Sequence, residues 1–381
     1  MVKELKTETK PSVLAYPLHG QGKLLREGYR TRDGHFIEWF GRELEGRGPV
    51  GVVSRPEPLY RRLTMRSSRP LAQNTVDLST FVVRVPKLTD RRDWWVRSAA
   101  LYPTLPDYAS ETPAVVWNPF AALAPPEQNP FLRCSTVVLD LLDDWTLHYA
   151  FASIRPRVEA AYEAAFATAT HVRTNAEGTL ELARRYGRDD AVLLLNGCDP
   201  ERFSTDSVAT GPLTVGYVGK IGKRLDLQLI TAVVSRLPEV QFTFAGPILD
   251  REYRAPLAQL PNVTLLGDVH YADVPDLLRT FDIGWVPHRV GEGEVGGDVI
   301  KTYEYRAAGL PVLTTPVAGA SSRGLDEVYV RSTADEHREW IVATGADGPR
   351  VARRISPIAE DVTWRHKSAS LLPLLGLDPV A

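Results

Sequence analysis

Glycines and cations lie close together in the segment GYVGKIGKRLD, residues 216–226. Gly219 and Gly222 would let the backbone approach a ligand closely, because glycine has no Cβ. Three basic residues lie where an apolar strand gives way to a helix with partly positive N-terminal N–H groups: Lys220, Lys223 and Arg224. The combination favours diphosphate binding, although a turn with solvated surface lysines would explain the same residues.

A carboxylate stands between two tyrosines in DVIKTYEYRAAGLPVLTTP, residues 298–316. If the stretch before Gly309 is helical, Glu304 shares a face with Lys301, and Gly309 and Pro311 end the helix. Glu304 can then accept two hydrogen bonds from vicinal hydroxyls, as on a ribose, and Lys301 can reach a phosphate. The alternative is a surface helix on which Glu304 only pairs with Lys301 in solvent.

Carboxylates also end the apolar run LDLLDDW, residues 139–145, where α/β enzymes hold reacting groups. Asp143 and Asp144, with Asp140 before them, can act as general bases or bind hydroxyls. Capping of a helix explains them as well. Weaker candidates, chosen on position alone, are His19, His35, Asn118 and His148.

Bulk composition narrows the class of protein. The 381 residues suffice for two ordinary domains, with 44% hydrophobic and 24% charged residues. The net charge of −2 offers no broad basic field, so a nucleic acid partner is not expected. Cys134 and Cys198 form no CxxC pair, and residues 1–10 lack the apolar core of a signal peptide, which together favour the cytoplasm.

Two further features are not found in the sequence. No His and Cys residues have metal-ligand spacing, so no metal site is predicted. No run of 18 apolar residues predicts a membrane span, and peripheral membrane contact is left open.

Alternation of strand and helix patterns predicts parallel sheets. Residues 12–20 predict a strand, 21–34 a glycine- and arginine-rich loop, and 35–48 an amphipathic helix with Asp33 as its N-cap. Further strands are predicted at 51–53, 113–117, 135–142, 171–175 and 191–197.

The alternation stops at residues 200–212, which are rich in Ser, Thr, Gly and Pro, and resumes at 213. We therefore predict an N-terminal domain of residues 1–207 and a C-terminal domain of residues 208–360. A helix in 361–381 is expected to pack back on the first domain. Ligands of open parallel sheets bind beyond the carboxyl ends of the strands, so two facing sheets would hold the site in the cleft between them.

Several segments, in the right order, resemble the retaining GT-B glycosyltransferases that use nucleotide sugars (glycosyl transferases group 1, family 4-like). NGCDPERF resembles their NGxDxxxF element, and GYVGKIGKRLDLQLI resembles their strand, basic loop and helix. FAGP and PNVTLLGDVHYADVPDLLRTFDIGWVP are similar to the strands that follow, YEYRAAGLPVLTT resembles the segment with their late glutamate, and DVTW is similar to their closing helix. The resemblance covers about residues 12–375.

The resemblance implies two Rossmann-like domains and hexosyltransferase-like transfer with retention, without a metal. Lys220 matches the first base of the family's phosphate pair, and Arg224 the second, with Lys223 as an alternative. Glu304 matches the ribose-binding glutamate, and Gly34 the first-loop glycine that approaches the donor phosphates. Lys301 fits one subset of the family, and the loops with Asp143, Asp144 and Asn118 fall where acceptor and sugar are held.

One position departs from the family pattern. Gly296 stands where an earlier glutamate is common; either Glu292 or Glu294 from the same loop replaces it, or its role is absent. The expected partners are a nucleotide-diphosphate sugar, as co-substrate, and a small-molecule or glycan acceptor. Two other classes stay open, namely a sugar-nucleotide epimerase of the same fold and a non-catalytic partner protein.

Overall fold

The computed structural model describes residues 10–59, 70–83, 92–291, 297–317 and 319–378, which form two compact units. The first unit runs to Leu195 and includes Gly297, Asp298 and the closing segment from Trp364; the second takes the rest. The predicted boundary after residue 207 is therefore too late. NGCDPERF belongs to the second unit, because the Cys198 N–H donates to the Val362 carbonyl at 3.1 Å.

The strands form two main parallel sheets. In chain order they are β1 (Val13–Tyr16), β2 (Val50–Val52), β3 (Glu57–Pro58), β4 (Thr75–Asp77), β5 (Phe81–Val82), β6 (Ala114–Val116), β7 (Val137–Leu141), β8 (His171–Thr174), β9 (Val192–Leu193), β10 (Thr214–Val218), β11 (Gln241–Ala245), β12 (Val263–Gly267), β13 (Ile283–Val286), β14 (Val312–Thr314) and β15 (Val328–Val330). The first unit has the order β4-β2-β1-β6-β7-β8-β9, and the second has β12-β11-β10-β13-β14-β15. Strands β3 and β5 pair separately.

Helices connect the strands. In chain order they are α1 (Gln21–Glu27), α2 (Arg32–Glu43), α3 (Asp93–Arg97), α4 (Pro130–Arg133), α5 (Arg155–Thr168), α6 (Glu177–Arg185), α7 (Leu227–Val234), α8 (Arg254–Ala258), α9 (Val274–Leu278), α10 (Ile300–Ala307), α11 (Ala334–Thr344) and α12 (Trp364–Leu371). Both faces of a parallel sheet are covered in this way, which is why β1, β6, β10 and β13 are buried along their whole length.

Two predictions near the first strand are wrong. The stretch 21–34 is not a loop, because α1 begins at Gln21 and α2 at Arg32. Asp33 is not an N-cap, since Thr31 precedes α2 and Asp33 lies inside its first turn. The Asp33 carboxylate instead bonds to the loop after β1, a contact that helical periodicity does not register.

Strand order creates a switch point in each sheet. In the second unit β10 lies between β11 and β13, and in the first unit β1 lies between β2 and β6. The connections leave such a central strand and its neighbour in opposite directions, which opens a crevice at their carboxyl ends. The loops after β10 and β13, and those after β1 and β6, are thus the expected ligand sites of their units.

Candidate active site

Gly219 follows β10 and lies directly under the Lys301 side chain. Its φ of +149° favours glycine, and a Cβ at this position would stand 2.8 Å from Lys301 Nζ and 2.9 Å from the Tyr217 hydroxyl. The Lys301 ammonium lies 5.4 Å from the centroid of the Tyr217 ring. The structure therefore brings α10 and the loop after β10 together, with a cation over exposed backbone.

The loop that carries Lys220 and Arg224 is fixed to the end of β13. The Arg289 N–H donates to the Arg224 carbonyl at 2.8 Å, and the Asp226 N–H donates to the Pro287 carbonyl at 2.9 Å. The Tyr217 hydroxyl holds the other end through the Lys220 carbonyl at 3.0 Å. Both sides of the switch point thus hold the basic loop in place.

The N-terminus of helix α7 already has a side-chain partner. Helix α7 begins only at Leu227, and the Asp226 side chain already accepts the Leu229 N–H at 2.9 Å. The negative charge of the Asp226 carboxylate would repel an anionic ligand at this position. Phosphate binding would therefore depend on the loop and its side chains.

Lys223 differs from its two basic neighbours. Its N–H donates to Asp250 Oδ2 at 2.9 Å, and its ammonium lies 3.9 Å from the Glu252 carboxylate. The nearby acidic side chains offset its charge. The choice of Arg224 as the second cation of the pair, with Lys223 as the alternative, stays a prediction.

His288, which follows β13, was not predicted. Its Nε2 atom is buried without a hydrogen-bond partner among the described residues. Burial, and then the positive charges of Lys301 and Arg224, lower the pKa of His288 well below its ordinary value. One neutral imidazole thus lies within the field of both cations. Its position at the carboxyl end of a strand beside the switch point was the only sequence signal for it.

Glu304 lies inside the second unit, with 6% of its surface exposed. After burial, its negative charge is the largest influence that raises the pKa of Cys198 and of Tyr271. The alternative of a solvated surface helix is therefore wrong, and Tyr303 and Tyr305 are buried as expected. A ribose-binding role for Glu304 stays a prediction. Glu292, Glu294 and Gly296 lie outside the described residues.

A cavity of about 350 Å³ opens at the carboxyl ends of β11 and β12 in the same unit. Its lining residues are Gly246, Pro247, Ile248, Arg254, Leu265, Gly267 and Asp268. It adds a concave surface at the same edge of the sheet as the basic loop.

The carboxylates after β7 divide into two kinds. Asp144 is buried, accepts the Thr146 N–H at 2.9 Å and hydroxyl at 2.5 Å, and pairs with Arg185. Asp144 therefore stabilises the local turn. The predicted catalytic role is replaced by a structural one. Asp143 is partly exposed, and its carboxylate lies against Gly297. Asp143 keeps its place as a candidate.

Burial also removes three other candidates, the acceptor-side residues His35 and Asn118 and the donor-side residue Gly34. His35 is fully buried and stacks on Trp364 with ring centroids 4.8 Å apart. Asn118 is fully buried, with its amide donating to the Tyr102 hydroxyl at 3.0 Å. Gly34 is packed in α2, where a Cβ would stand 2.8 Å from the Tyr29 Cα. These residues shape the first unit and present no surface to a ligand.

His148 is partly exposed, and its Nδ1 accepts the Ala150 N–H at 3.1 Å. A different histidine, His19, lies at the switch point of the first sheet beside the buried Asp33. The sequence indicated it only by position.

No metal cluster is found among the described residues, where no three His, Cys, Asp or Glu side chains come together. In the same part of the chain, no helix has the length and apolar character needed to cross a bilayer.

Part of the second unit matches a known protein family. The family model described as "Glycosyl transferases group 1" matches residues 212–357. A relative in Bacillus subtilis, named "Putative teichuronic acid biosynthesis glycosyltransferase TuaH", is 27% identical over 168 residues. This match covers 41% of the chain and 42% of the relative, so it spans less than half of that protein.

Solved structures share the architecture at low sequence identity. HepE of Anabaena, crystallised with UDP and glucose, has a TM-score of 0.62 at 15% identity, over 95% of each chain. Sucrose-phosphate synthase of Thermosynechococcus elongatus has a TM-score of 0.64 at 14% identity, again over 95% of each chain. The chain therefore has the GT-B fold, and its segment 212–357 is similar to the group 1 glycosyltransferases.

Proposed function

We propose that this protein transfers a sugar from a nucleotide-diphosphate sugar to an acceptor hydroxyl, with retention of anomeric configuration. The observation that carries the proposal is the position of Lys301 over Gly219, the first residue of the loop that carries Arg224, at the switch point of the second sheet. Lys220 lies in the same loop, directly after Gly219. A diphosphate supplies the charge that this concentration of cations requires.

The chemistry would depend on charge stabilisation. As the bond between the sugar and the diphosphate breaks, negative charge grows on the leaving oxygen. Lys220, Arg224 and Lys301 would stabilise this charge, which is usually the largest catalytic contribution. Because the cations are part of the protein, we expect no metal requirement. Glu304 would bind the ribose, and the uncharged His288 can donate a hydrogen bond without adding charge.

The acceptor would bind on the first unit, where Asp143 and His148 are partly exposed beyond the strand ends. The partners are then a nucleotide sugar and a small-molecule or glycan acceptor. Both cysteines are free thiols, which fits a cytoplasmic enzyme.

The test is nucleotide diphosphate release from a panel of UDP- and GDP-sugars, with and without simple alkyl glycosides as acceptors. We expect release that depends on acceptor, and product NMR that shows the donor's anomeric configuration. Replacing Lys220 and Arg224 together by Ala should lower turnover by about 10²-fold or more. Arg236→Ala is the matched control, since Arg236 is exposed and pairs with Asp335. Donor turnover without any acceptor would indicate an epimerase, and an unchanged double variant would refute the proposed site.

A further inference from the structure

His288 lies where the loops after β10, β13 and β14 meet in the second unit. Its backbone forms an antiparallel bridge with Leu225 of the basic loop. Its carbonyl oxygen accepts the Thr315 hydroxyl at 2.7 Å, and its N–H donates to the Val286 carbonyl at 2.9 Å. The backbone of His288 is therefore fixed at the carboxyl edge of the second sheet.

Segments that carry cations lie on both sides of His288 in the fold. Its ring packs edge-on against Tyr217, with ring centroids 6.3 Å apart. The Lys301 ammonium lies 5.4 Å from the centroid of the same Tyr217 ring. The Arg224 carbonyl accepts the N–H of Arg289, the residue after His288, at 2.8 Å. Helix α10 and the basic loop thus each bring a cation close to one imidazole.

The ring of His288 is uncharged in the free protein at neutral pH. Its Nε2 atom is buried without a hydrogen-bond partner among the described residues. Burial, and then the positive charges of Lys301 and Arg224, hold the pKa of His288 well below its ordinary value. Other titratable groups on the segments around it include Tyr217, Lys220, Lys223, Arg289, Glu304 and Tyr305.

An anion bound beside Lys301 and Arg224 changes this balance. The negative charges of a diphosphate offset those of the two cations, and an opposite charge nearby favours the protonated form of an imidazole. His288 as a whole is only partly buried, so a proton can reach the ring from solvent. Binding of the anion and binding of a proton therefore favour each other.

We propose that His288 is a further donor-binding residue, which takes up a proton from water when a nucleotide-diphosphate sugar binds to the second unit. Above about pH 7 the ring stays uncharged, whereas near and below the ordinary imidazole value of about 6.5 it adds a positive charge. Affinity should therefore rise as the pH falls, by at most about tenfold per pH unit for one proton. This inference rests on the proposed function, which supplies the diphosphate.

The test is titration calorimetry with the nucleotide sugar that the wild-type protein turns over, without acceptor. Both phosphates of such a ligand are esterified, so the ligand does not titrate near neutral pH. Binding enthalpies at about pH 6, in two buffers of different ionisation enthalpy, give the number of protons taken up. We expect a large fraction of one proton per ligand in the wild type and in the control His366→Asn, an exposed histidine on α12, but almost none in His288→Asn.

A second measurement needs no variant at His288. In the wild type, one histidine Hε1 signal in the NMR spectrum should titrate at a higher pH once the nucleotide sugar is bound. Equal proton uptake in the wild type and His288→Asn, or no such signal, would overturn the inference. Failure of the proposed function looks different, because the wild-type protein would then bind no nucleotide sugar in any buffer, and both proposals would be refuted.

Discussion

His337 should make the second unit sensitive to acid, and replacing it should remove that sensitivity. Its side chain is 0% exposed; Nδ1 accepts the Trp285 indole N–H at 3.0 Å, and Nε2 lies 3.1 Å from the Arg331 carbonyl. Burial is the largest cause that lowers the pKa of His337, from 6.5 to about 4, against smaller effects of Arg331 and Glu336. The Trp285 bond requires a neutral ring.

The sign and size of this pH effect on the free energy of unfolding follow from proton binding. The unfolded chain takes up a proton near pH 6.5, whereas the folded protein takes it up only near pH 4, so falling pH favours unfolding. The stabilisation is complete above pH 6.5 and is lost between pH 6.5 and 4. With 1.36 kcal/mol per pKa unit, this group should cost about 2 kcal/mol of unfolding free energy between pH 7.5 and 5, and about 3 kcal/mol below pH 4.

The assay is urea unfolding of the wild type and of His337→Gln at pH 7.5 and pH 5.0. Gln can keep a hydrogen bond to Trp285 and does not titrate. We expect a lower stability of the variant at pH 7.5, but a decrease with pH that is about 2 kcal/mol smaller than in the wild type. His366→Gln, on the exposed face of α12, should keep the wild-type dependence. Equal pH dependence in His337→Gln and the wild type would refute the reasoning.

Three further predictions concern the candidate site. Gly219→Ala should weaken UDP binding in calorimetry by displacing Lys301, whereas Gly211→Ala, also at positive φ but with nothing within 4 Å, should leave binding unchanged. Turnover should survive EDTA, because protein cations stabilise the leaving group; a loss restored by Mg²⁺ would contradict this. Asp144→Asn should weaken the pair with Arg185 and lower the unfolding temperature, as Arg185→Gln should; an unchanged temperature with lost turnover would restore Asp144 as a catalytic residue.

Local signals in the sequence were sufficient to predict the helices and strands in much of the second unit. Helix α10, predicted in the stretch before Gly309, is Ile300–Ala307, and Gly309 follows it with a φ of +75°. Strands β10, β11, β13 and β14 lie within their apolar runs. These features depend on neighbours within a few residues, through side-chain periodicity and the conformations open to Gly and Pro.

The roles of the polar side chains were harder to predict, because their partners are distant in the chain. Asp144 meets Arg185, 41 residues later, and so becomes structural. Asp140 is buried against Arg32, 108 residues earlier, at 2.8 Å. His35 is covered by Trp364 from the closing helix. A strand-end position indicated where such residues lie, but not whether folding would bury them.

The sequence by itself therefore determined the alternation of strands and helices, the basic loop and the family resemblance, since all three depend on short contiguous patterns. Only the tertiary structure decided which polar groups face a ligand. It buried His35, Asn118 and Asp144, and it brought His288 to a place where burial, and then the charges of Lys301 and Arg224, lower its pKa. The physical reason is that burial and charge depend on every segment packed around a side chain, and those segments meet only when the chain folds.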